Sequence, residues 1–414
     1  MLKEKLVNKL KETAINIVNS EIESIREKNI TKTGLRVYEN GKIGIAGAIG
    51  KYDEKELEKE AIESLSENIK YECDLCGNRS EVIDKRREII NDEDFIKEME
   101  DVITQIKDEQ SEFSFFGKVL ITETANTLSN DKNLNLEYRD KSLGIGLAFK
   151  EKTSTNIMDV VFDCDGRNYD RKLLIDEINM ILDGYKNKVE LPEEKTYPVA
   201  FLPSNSGIFR KFVSDLHGEM FGSGTSLLSN KLGEKVFNEE FTLYKSLNPE
   251  DVLNIPFFDT EGIVNKDYRY ALIENGVVKA PYTDKKTAKT FNLPQTGSAE
   301  GDYYDVPGIS LNPYSLFKIK ESEKIIKELL AGDMGVLVLY SAGGDFAADG
   351  NFATPVQVAM LFDGERIIGR LPEIQVSSNI FHMFGDSFRG VSKDNFFPLS
   401  EDKLIVMDMK VSKI

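Results

Sequence analysis

Phe257–Phe291 reads FFDTEGIVNKDYRYALIENGVVKAPYTDKKTAKTF. An acidic turn, Asp259-Thr260-Glu261-Gly262, leads into two apolar runs that flank Asn275-Gly276. Both residues of an Asn-Gly pair tolerate positive φ, so ALIENGVVKAPY reads as a β-hairpin. The same signal recurs at Asn40-Gly41 inside TGLRVYENGKIGIAGAIG (33–50). An Asp-Gly version stands at Asp363-Gly364 inside VQVAMLFDGERIIGRL (356–371). Three such turns make an antiparallel β component the dominant expectation.

Working outward, the second half adds buried-strand patterns at YPVAFLPSNSG (197–207), MGVLVLYSA (334–342) and KLIVMDMKVSKI (403–414). Ser204–Gly207 supply turn chemistry after the first of these. Two helices interrupt: IFRKFVSDLHGEMF (208–221), and SEKIIKELLAG (322–332) with Gly332 as its C′ residue. In the first half, Leu2, Leu6, Leu10, Ala14, Ile17, Val18, Ile22 and Ile25 follow helical spacing with Lys and Glu between them, which predicts an opening helix. DEKELEKEAIESLSENI (53–69) predicts a charged helix. Phe95, Met99, Val102, Ile103 and Ile106 predict another, with Asn91 or Asp92 as its N-cap. Strand patterns follow at GKVLITETA (117–125), LNLEYRD (134–140), LGIGLAF (143–149) and IMDVVFD (157–163). A helix then carries Leu174, Ile178 and Ile181 on one stripe. The polar segment NKVELPEEKT (187–196) marks a domain boundary. The expected class is α+β. Residues 1–190 form an N-terminal region with hairpin and helices, and residues 197–414 form a domain rich in long antiparallel strands.

Composition narrows the function classes. The chain has 414 residues, 40% hydrophobic and 30% charged, an ordinary globular balance. No apolar stretch reaches the ~18 residues of a membrane span. Lys5, Asn8, Lys9, Lys11 and Glu12 break the apolar stretch that a secretory signal would need, so the expected location is cytoplasmic. Net charge is −18, from 71 acidic and 53 basic residues, which opposes direct nucleic-acid contact. The three cysteines, Cys73, Cys76 and Cys164, are too few for a disulfide scaffold. Two histidines, His217 and His382, leave little material for metal or imidazole chemistry.

The second half carries a resemblance. The Phe257–Phe291 run, TGSAEG (296–301), GISLNPYS (308–315) and GDFAADGNFATPVQVAMLFDGERIIGRLPEIQVSSNIFHMF (344–384) resemble, in order and spacing, the C-terminal blocks of the TldD/TldE (PmbA) peptidase family. GLRVYENGKIGIAG (34–47) resembles that family's early hairpin. The family implies a dimer in which a TldD-like subunit pairs with a TldE-like one. The TldD-like subunit holds zinc through two histidines of HExxxH and a late cysteine, and it hydrolyses unfolded peptides. An older label, modulator of DNA gyrase, attaches to the same family.

HExxxH serves zinc chemistry because imidazoles on neighbouring turns reach one ion while the adjacent Glu polarises its water. The stretch here that is similar reads VSDLHGEMFGSGTSLLSNKLGEKV (213–236). His217 is followed by Gly218 where the motif has Glu, and the position five beyond His217 is Gly222. Gly344–Phe352 contains no cysteine. The resemblance therefore points to a TldE-like member with neither a catalytic residue nor a metal ligand of its own. Zinc and hydrolysis are expected in a TldD-like partner, and unfolded peptide is the expected ligand. His217, Gly222, Gly224, Thr225 and Ser226 are candidate peptide-binding residues, the small ones allowing close backbone approach. A stand-alone peptidase assembled around His217, Glu219, His382 or the cysteines is the alternative. A regulator of a nucleic-acid machine is a weaker third reading, opposed by the charge. Cys73 and Cys76 form a CxxC without a second ligand pair and read as reduced, inert thiols. Asp259 and Glu261 read as turn formers.

Overall fold

The structure is a computed structural model describing residues 1–91, 93–203, 207–400 and 403–414. Asp92 and Ser204–Ser206 lie outside the described residues. The first half is built on β1 (Leu2–Val18), β2 (Glu21–Glu39), β3 (Lys42–Ile49), β4 (Arg79–Asp84), β5 (Phe113–Asn130), β6 (Leu134–Glu151) and β7 (Val160–Gly166). The sheet order is β3-β2-β1-β5-β6-β4, and β7 joins β6. Helices α1 (Glu54–Ser64), α2 (Phe95–Glu109) and α3 (Arg171–Lys186) pack on this sheet or beside it.

The opening segment is a strand and not the expected helix. β1 pairs with β2 on one edge and β5 on the other, so its amides are used by neighbours on both sides. The misreading has a geometric cause. Leu2, Leu6, Leu10 and Ala14 are four apart, and a spacing of four fits one helix face and one strand face equally well. Glu4 and Leu6, two apart on one face, are both buried, and Glu4 meets the buried Arg36 of β2 at 3.3 Å. That long-range pair selects the extended form.

The expected turns are present. Asn40 and Gly41 have φ of 50° and 73°, Asn275 and Gly276 have 49° and 78°, and Gly364 has 88°. The cap of α2 is corrected: Asp94 occupies the N-cap position, while Asn91 makes an Asx turn, its side chain accepting from the Glu93 amide at 2.9 Å. The two patterns between Leu134 and Phe149 merge into the single strand β6.

In the second half come β8 (Lys195–Phe201), β9 (Leu243–Ser246), β10 (Arg269–Glu274), β11 (Val277–Val278), β12 (Ala299–Glu300), β13 (Gly308–Ile309) and β14 (Phe317–Ile319). They are followed by β15 (Gly335–Ser341), β16 (Asp345–Phe346), β17 (Asn351–Phe362), β18 (Ile367–Arg370), β19 (Ile374–Asn379), β20 (Phe388–Val391) and β21 (Ile405–Lys413). The helices are α4 (Arg210–Asp215), α5 (Gly218–Gly222), α6 (Lys285–Phe291), α7 (Ile326–Leu330) and α8 (Ile380–Met383). β15, β8, β21, β19 and β17 pair in that order, and β17 pairs back to β15, so the ladder closes on itself. Four of these pairings are antiparallel and β8–β15 is parallel. The α+β class stands, and the longest strands, β1, β2, β5 and β6, belong to the first half.

Strand alternation sends neighbouring side chains to two cores. Leu337, Leu339, Met360 and Val406 join α2, α3 and the first sheet in one cluster drawn from both sides of the 187–196 segment. Val336, Val338, Ile405 and Met407 point the other way, into a cluster with Phe209, Phe212, Phe241 and Phe384. Phe257 and Phe258 dock on Leu6, Leu128 and Tyr138, which lays the acidic turn Asp259–Gly262 against the first sheet.

Candidate functional site

The segment around His217 departs from a continuous helix. α4 ends at Asp215 and α5 starts at Gly218, with His217 extended between them at φ −65°, ψ 123°. The break has a partner. Tyr282 N donates to Leu216 O at 2.8 Å and Gly218 N donates to Tyr282 O at 3.0 Å, a short strand-like bridge that replaces helical bonds. His217 caps α5, its Nδ1 accepting from the Glu219 amide at 3.3 Å, and its ring meets Tyr282 edge-on at 5.3 Å between centroids. Burial pushes its pKa below the usual imidazole value, so the ring is neutral at pH 7 and Nδ1 is committed to the cap.

The other four candidates follow in one turn. Thr225 Oγ1 lies 3.1 Å from Met220 O, and Ser226 Oγ donates to Asp215 O at 2.6 Å and accepts from Leu228 N at 2.9 Å. Both hydroxyls thus serve the local turn. Gly224 has φ of 80° with open space around it. Gly222 is hemmed in: a Cβ there would stand 2.3 Å from the Phe291 ring. At Gly218 a Cβ would meet the Thr287 and Thr283 methyls at 2.7 and 2.8 Å and Tyr282 O at 2.9 Å.

Those two contacts test the fit of a metal. A zinc centre of the HExxxH type needs a carboxylate at 218 and an imidazole at 222, and the first carbon of such a side chain would run into Thr287, Thr283 and Tyr282 at 218 and into Phe291 at 222. The residues present do not fit that ion. Among the described residues no three His, Cys, Asp or Glu side chains converge as a metal-binding set. Gly218→Ala is accordingly expected to destabilise the chain by about 1–3 kcal/mol through overpacking, read as a lower urea midpoint with unchanged slope.

Beside this segment the structure forms a cleft of about 680 Å³, with His382 and Ser378 on one side and Asp345, Asn351, Asp408 and Lys410 around it. Its rim is fastened to the α4–α5 region. Arg210 and Asp345 approach to 3.8 Å, and a Cβ on Gly350 would stand 3.5 Å from Leu227. Ile380 N donates to Gly350 O at 2.9 Å, and Asn379 Nδ2 to Asn351 Oδ1 at 3.0 Å. His382 is exposed and lines the cleft, whereas His217, Gly222, Gly224, Thr225 and Ser226 are not among its lining residues. The sequence offered His382 only as a member of the alternative site; the cleft itself depends on the pairing of β16, β17, β19 and β21.

The acidic turn forms a second polar centre, at the junction of the two halves. Asp259 Oδ1 accepts from the Glu261 and Ile263 amides at 3.0 and 2.8 Å, and Oδ2 accepts from Ala299 N at 3.0 Å. This is the expected turn chemistry, with a cross-link to the TGSAEG loop added. Glu261 accepts from Tyr71 Oη at 2.5 Å and from Lys285 N at 2.8 Å; burial, with Asp259 beside it, pushes its pKa up to about 7. Lys245 donates to Gly297 O and is brought down to about 8 by complete burial. Lys285 Nζ reaches Asp74 O at 2.9 Å, which ties the cysteine loop to α6. Burial holds the Cys73 and Cys76 thiols above their ordinary value, so both are neutral near pH 7.

No helix among the described residues is long and apolar enough to cross a membrane. Residues 194–413 match the family model of the PmbA/TldA metallopeptidase C-terminal domain. The chain is 23% identical over 278 residues to the zinc metalloprotease TldD homolog of Saccharolobus solfataricus, an alignment that takes in 64% of this chain but only 60% of that protein. It is 24% identical over 386 residues to an uncharacterized protein of Methanocaldococcus jannaschii, covering 91% of this chain and 88% of that one. TldE from Thermococcus kodakarensis shares the fold with a TM-score of 0.76 at 18% identity, covering 99% of this chain and 96% of that one. With its family model spanning more than half of the sequence, the chain belongs to the TldD/PmbA family of metallopeptidase-related proteins.

Proposed function

We propose that this chain is the non-metal, TldE-like subunit of a peptidase pair, helping to hold unfolded peptide while a zinc-bearing TldD-like partner hydrolyses it. The observation that carries the reading is the packing of α6 against Gly218 and Gly222, which leaves no room for the Glu and second His of the metal motif. The exposed cleft around His382 suits an extended peptide. β16, the end strand of its sheet, borders the cleft with one edge unpaired among the described strands, and main-chain pairing there gives affinity without strong sequence preference. Neutral His217 acts as a helix cap that shapes the adjoining loop. The expected assembly is a dimer in the cytoplasm, with no direct contact to nucleic acid.

The test is a mixing experiment. The purified chain is expected to hold less than about 0.1 equivalent of zinc after dialysis and to leave an unfolded casein-type substrate intact. Co-expression with an HExxxH-bearing family member is expected to yield a stable complex and peptide hydrolysis. Stoichiometric zinc together with hydrolysis by the isolated chain would overturn the reading and favour the stand-alone peptidase.

A further inference from the structure

A second cavity, of about 460 Å³, lies where the connecting segment after α3 meets β18, and it shares no lining residue with the His382 cleft. Its volume is within the range of small-ligand sites. Met158, Val161, Val189, Val358, Leu371 and Pro372 give it apolar walls. Its polar lining includes Arg370. The Arg370 guanidinium carbon lies over the Tyr185 ring, 3.9 Å from its centroid. The Arg370 backbone is zipped to the connecting segment: its amide donates to Asn187 O at 2.7 Å and its carbonyl accepts from Val189 N at 2.9 Å.

Among the described residues no carboxylate oxygen comes within 4.0 Å of the Arg370 guanidinium and no side chain or carbonyl accepts from it. Of the three carboxylates that line the cavity, Asp159 and Glu190 have other partners and Glu373 makes no ion pair with the guanidinium. Asp159 accepts from Ser154, Asn156, Tyr185 and the Glu151 amide, and Gln357 both donates to and accepts from the Ala342 backbone. Glu190 pairs with Lys413 at 3.3 Å. Lys188 lines the same cavity and adds a second positive charge. In a chain with 71 acidic residues, a half-buried arginine held on an aromatic ring and left without a carboxylate is a group with its donors reserved.

We propose that this cavity binds a carboxylate carried on a small apolar body, with Arg370 as the carboxylate-binding residue and the Val189–Val358–Leu371 wall taking the apolar part. Two sources share that chemistry: a free apolar amino acid, and the C-terminal carboxylate of a peptide ending in an apolar residue. The site goes beyond the subunit role argued above and does not depend on it.

Calorimetric titration of the full chain uses three probes: acetyl-Gly-Gly-Leu with a free carboxylate, the same peptide as its C-terminal amide, and free leucine. The free acid is expected to bind at least about tenfold more tightly than the amide, the margin of a charge-assisted hydrogen bond. Tighter binding of the peptide than of leucine would assign the site to peptide ends, and the reverse would assign it to the free amino acid. Arg370→Gln is expected to weaken binding of the acid about tenfold or more. Val161→Trp, which fills the cavity and leaves Arg370 in place, is expected to abolish it in a chain whose melting temperature stays near that of the parent. Equal binding of acid and amide, no binding of any probe, or undiminished binding by Arg370→Gln would overturn the proposal. None of these readouts involves peptidase activity, so a failure here is distinct from a failure of the subunit reading.

Discussion

Replacing Arg167 with leucine is expected to lower the unfolding free energy by about 3–5 kcal/mol, because it strands a buried carboxylate. Asp140 is 0% exposed and Arg167 is 5% exposed. Arg167 Nε and Nη2 each donate to one Asp140 oxygen at 2.7 Å, the two-pronged geometry that a lysine could not reproduce. The same Nη2 donates to Val252 O at 2.9 Å, and Asn254 N donates to Asp140 Oδ2 at 2.7 Å. The pair therefore joins β6 and the end of β7 to a loop of the second half. Burial alone would raise the Asp140 pKa, but the guanidinium, the Asn254 amide and the Tyr138 hydroxyl outweigh it and leave the carboxyl below its ordinary value. Its contribution is present above the unfolded pKa and is lost as the pH falls through the lower folded value. Urea titration at pH 7 checks the size of the effect. The double variant Asp140→Leu with Arg167→Leu is expected to be less destabilised than the sum of the two single ones, since it leaves no unpaired charge. Additive single effects would mean that the two side chains do not act as a unit.

How much of this architecture could be read from the sequence follows from what each element depends on. The hairpins at Asn40-Gly41, Asn275-Gly276 and Asp363-Gly364 were legible because a tight turn is a local event with a strong residue preference. α1 was legible as a charged helical run and α2 from its apolar stripe, and α1 has Asp53 at its N-cap, accepting from the Lys55 and Glu56 amides. β1 was not legible, because spacings of four leave period two and period 3.6 undecided, and the deciding contacts come from Arg36 and β5. The break at His217 was hidden for a similar reason: the bridge to Tyr282, 65 residues later, makes extended backbone the better solution. Among the site residues, the glycines at 218 and 222 were visible, but the side chains packed against them were not. Arg370 and His382 fall inside the 344–384 block that carries the resemblance, but nothing in that block singles them out. The His382 cleft is built by strands of the closed ladder, and the Arg370 cavity by that ladder together with α3 and the start of β7.

Glu177→Gln is expected to stabilise the chain by about 3 kcal/mol at pH 8 and to have almost no effect at pH 4, a difference that isolates one buried carboxyl. Glu177 lies on the packed face of α3 at 3% exposure and, among the described residues, accepts a hydrogen bond from the Leu399 amide. Burial pushes its pKa up to about 7, against an opposing pull from that amide, and no cation stands among the causes of the shift. The sign follows from proton counting. Between about pH 4.5 and 7 the folded chain holds a proton that the unfolded chain has released, so stability falls as the pH rises through that window and is flat above it. Gln keeps the oxygen that accepts from Leu399 and carries no charge to desolvate, so the variant does not share the loss. Asp140 and Asp159, whose folded pKa values are lowered, act in the opposite direction at lower pH, but they are common to both proteins and cancel in the comparison. Paired thermal melts of parent and variant from pH 4 to 8 provide the measurement. A gap that opens across pH 5–7 supports the assignment, whereas parallel curves would place Glu177 in contact with water or a cation and remove the argument.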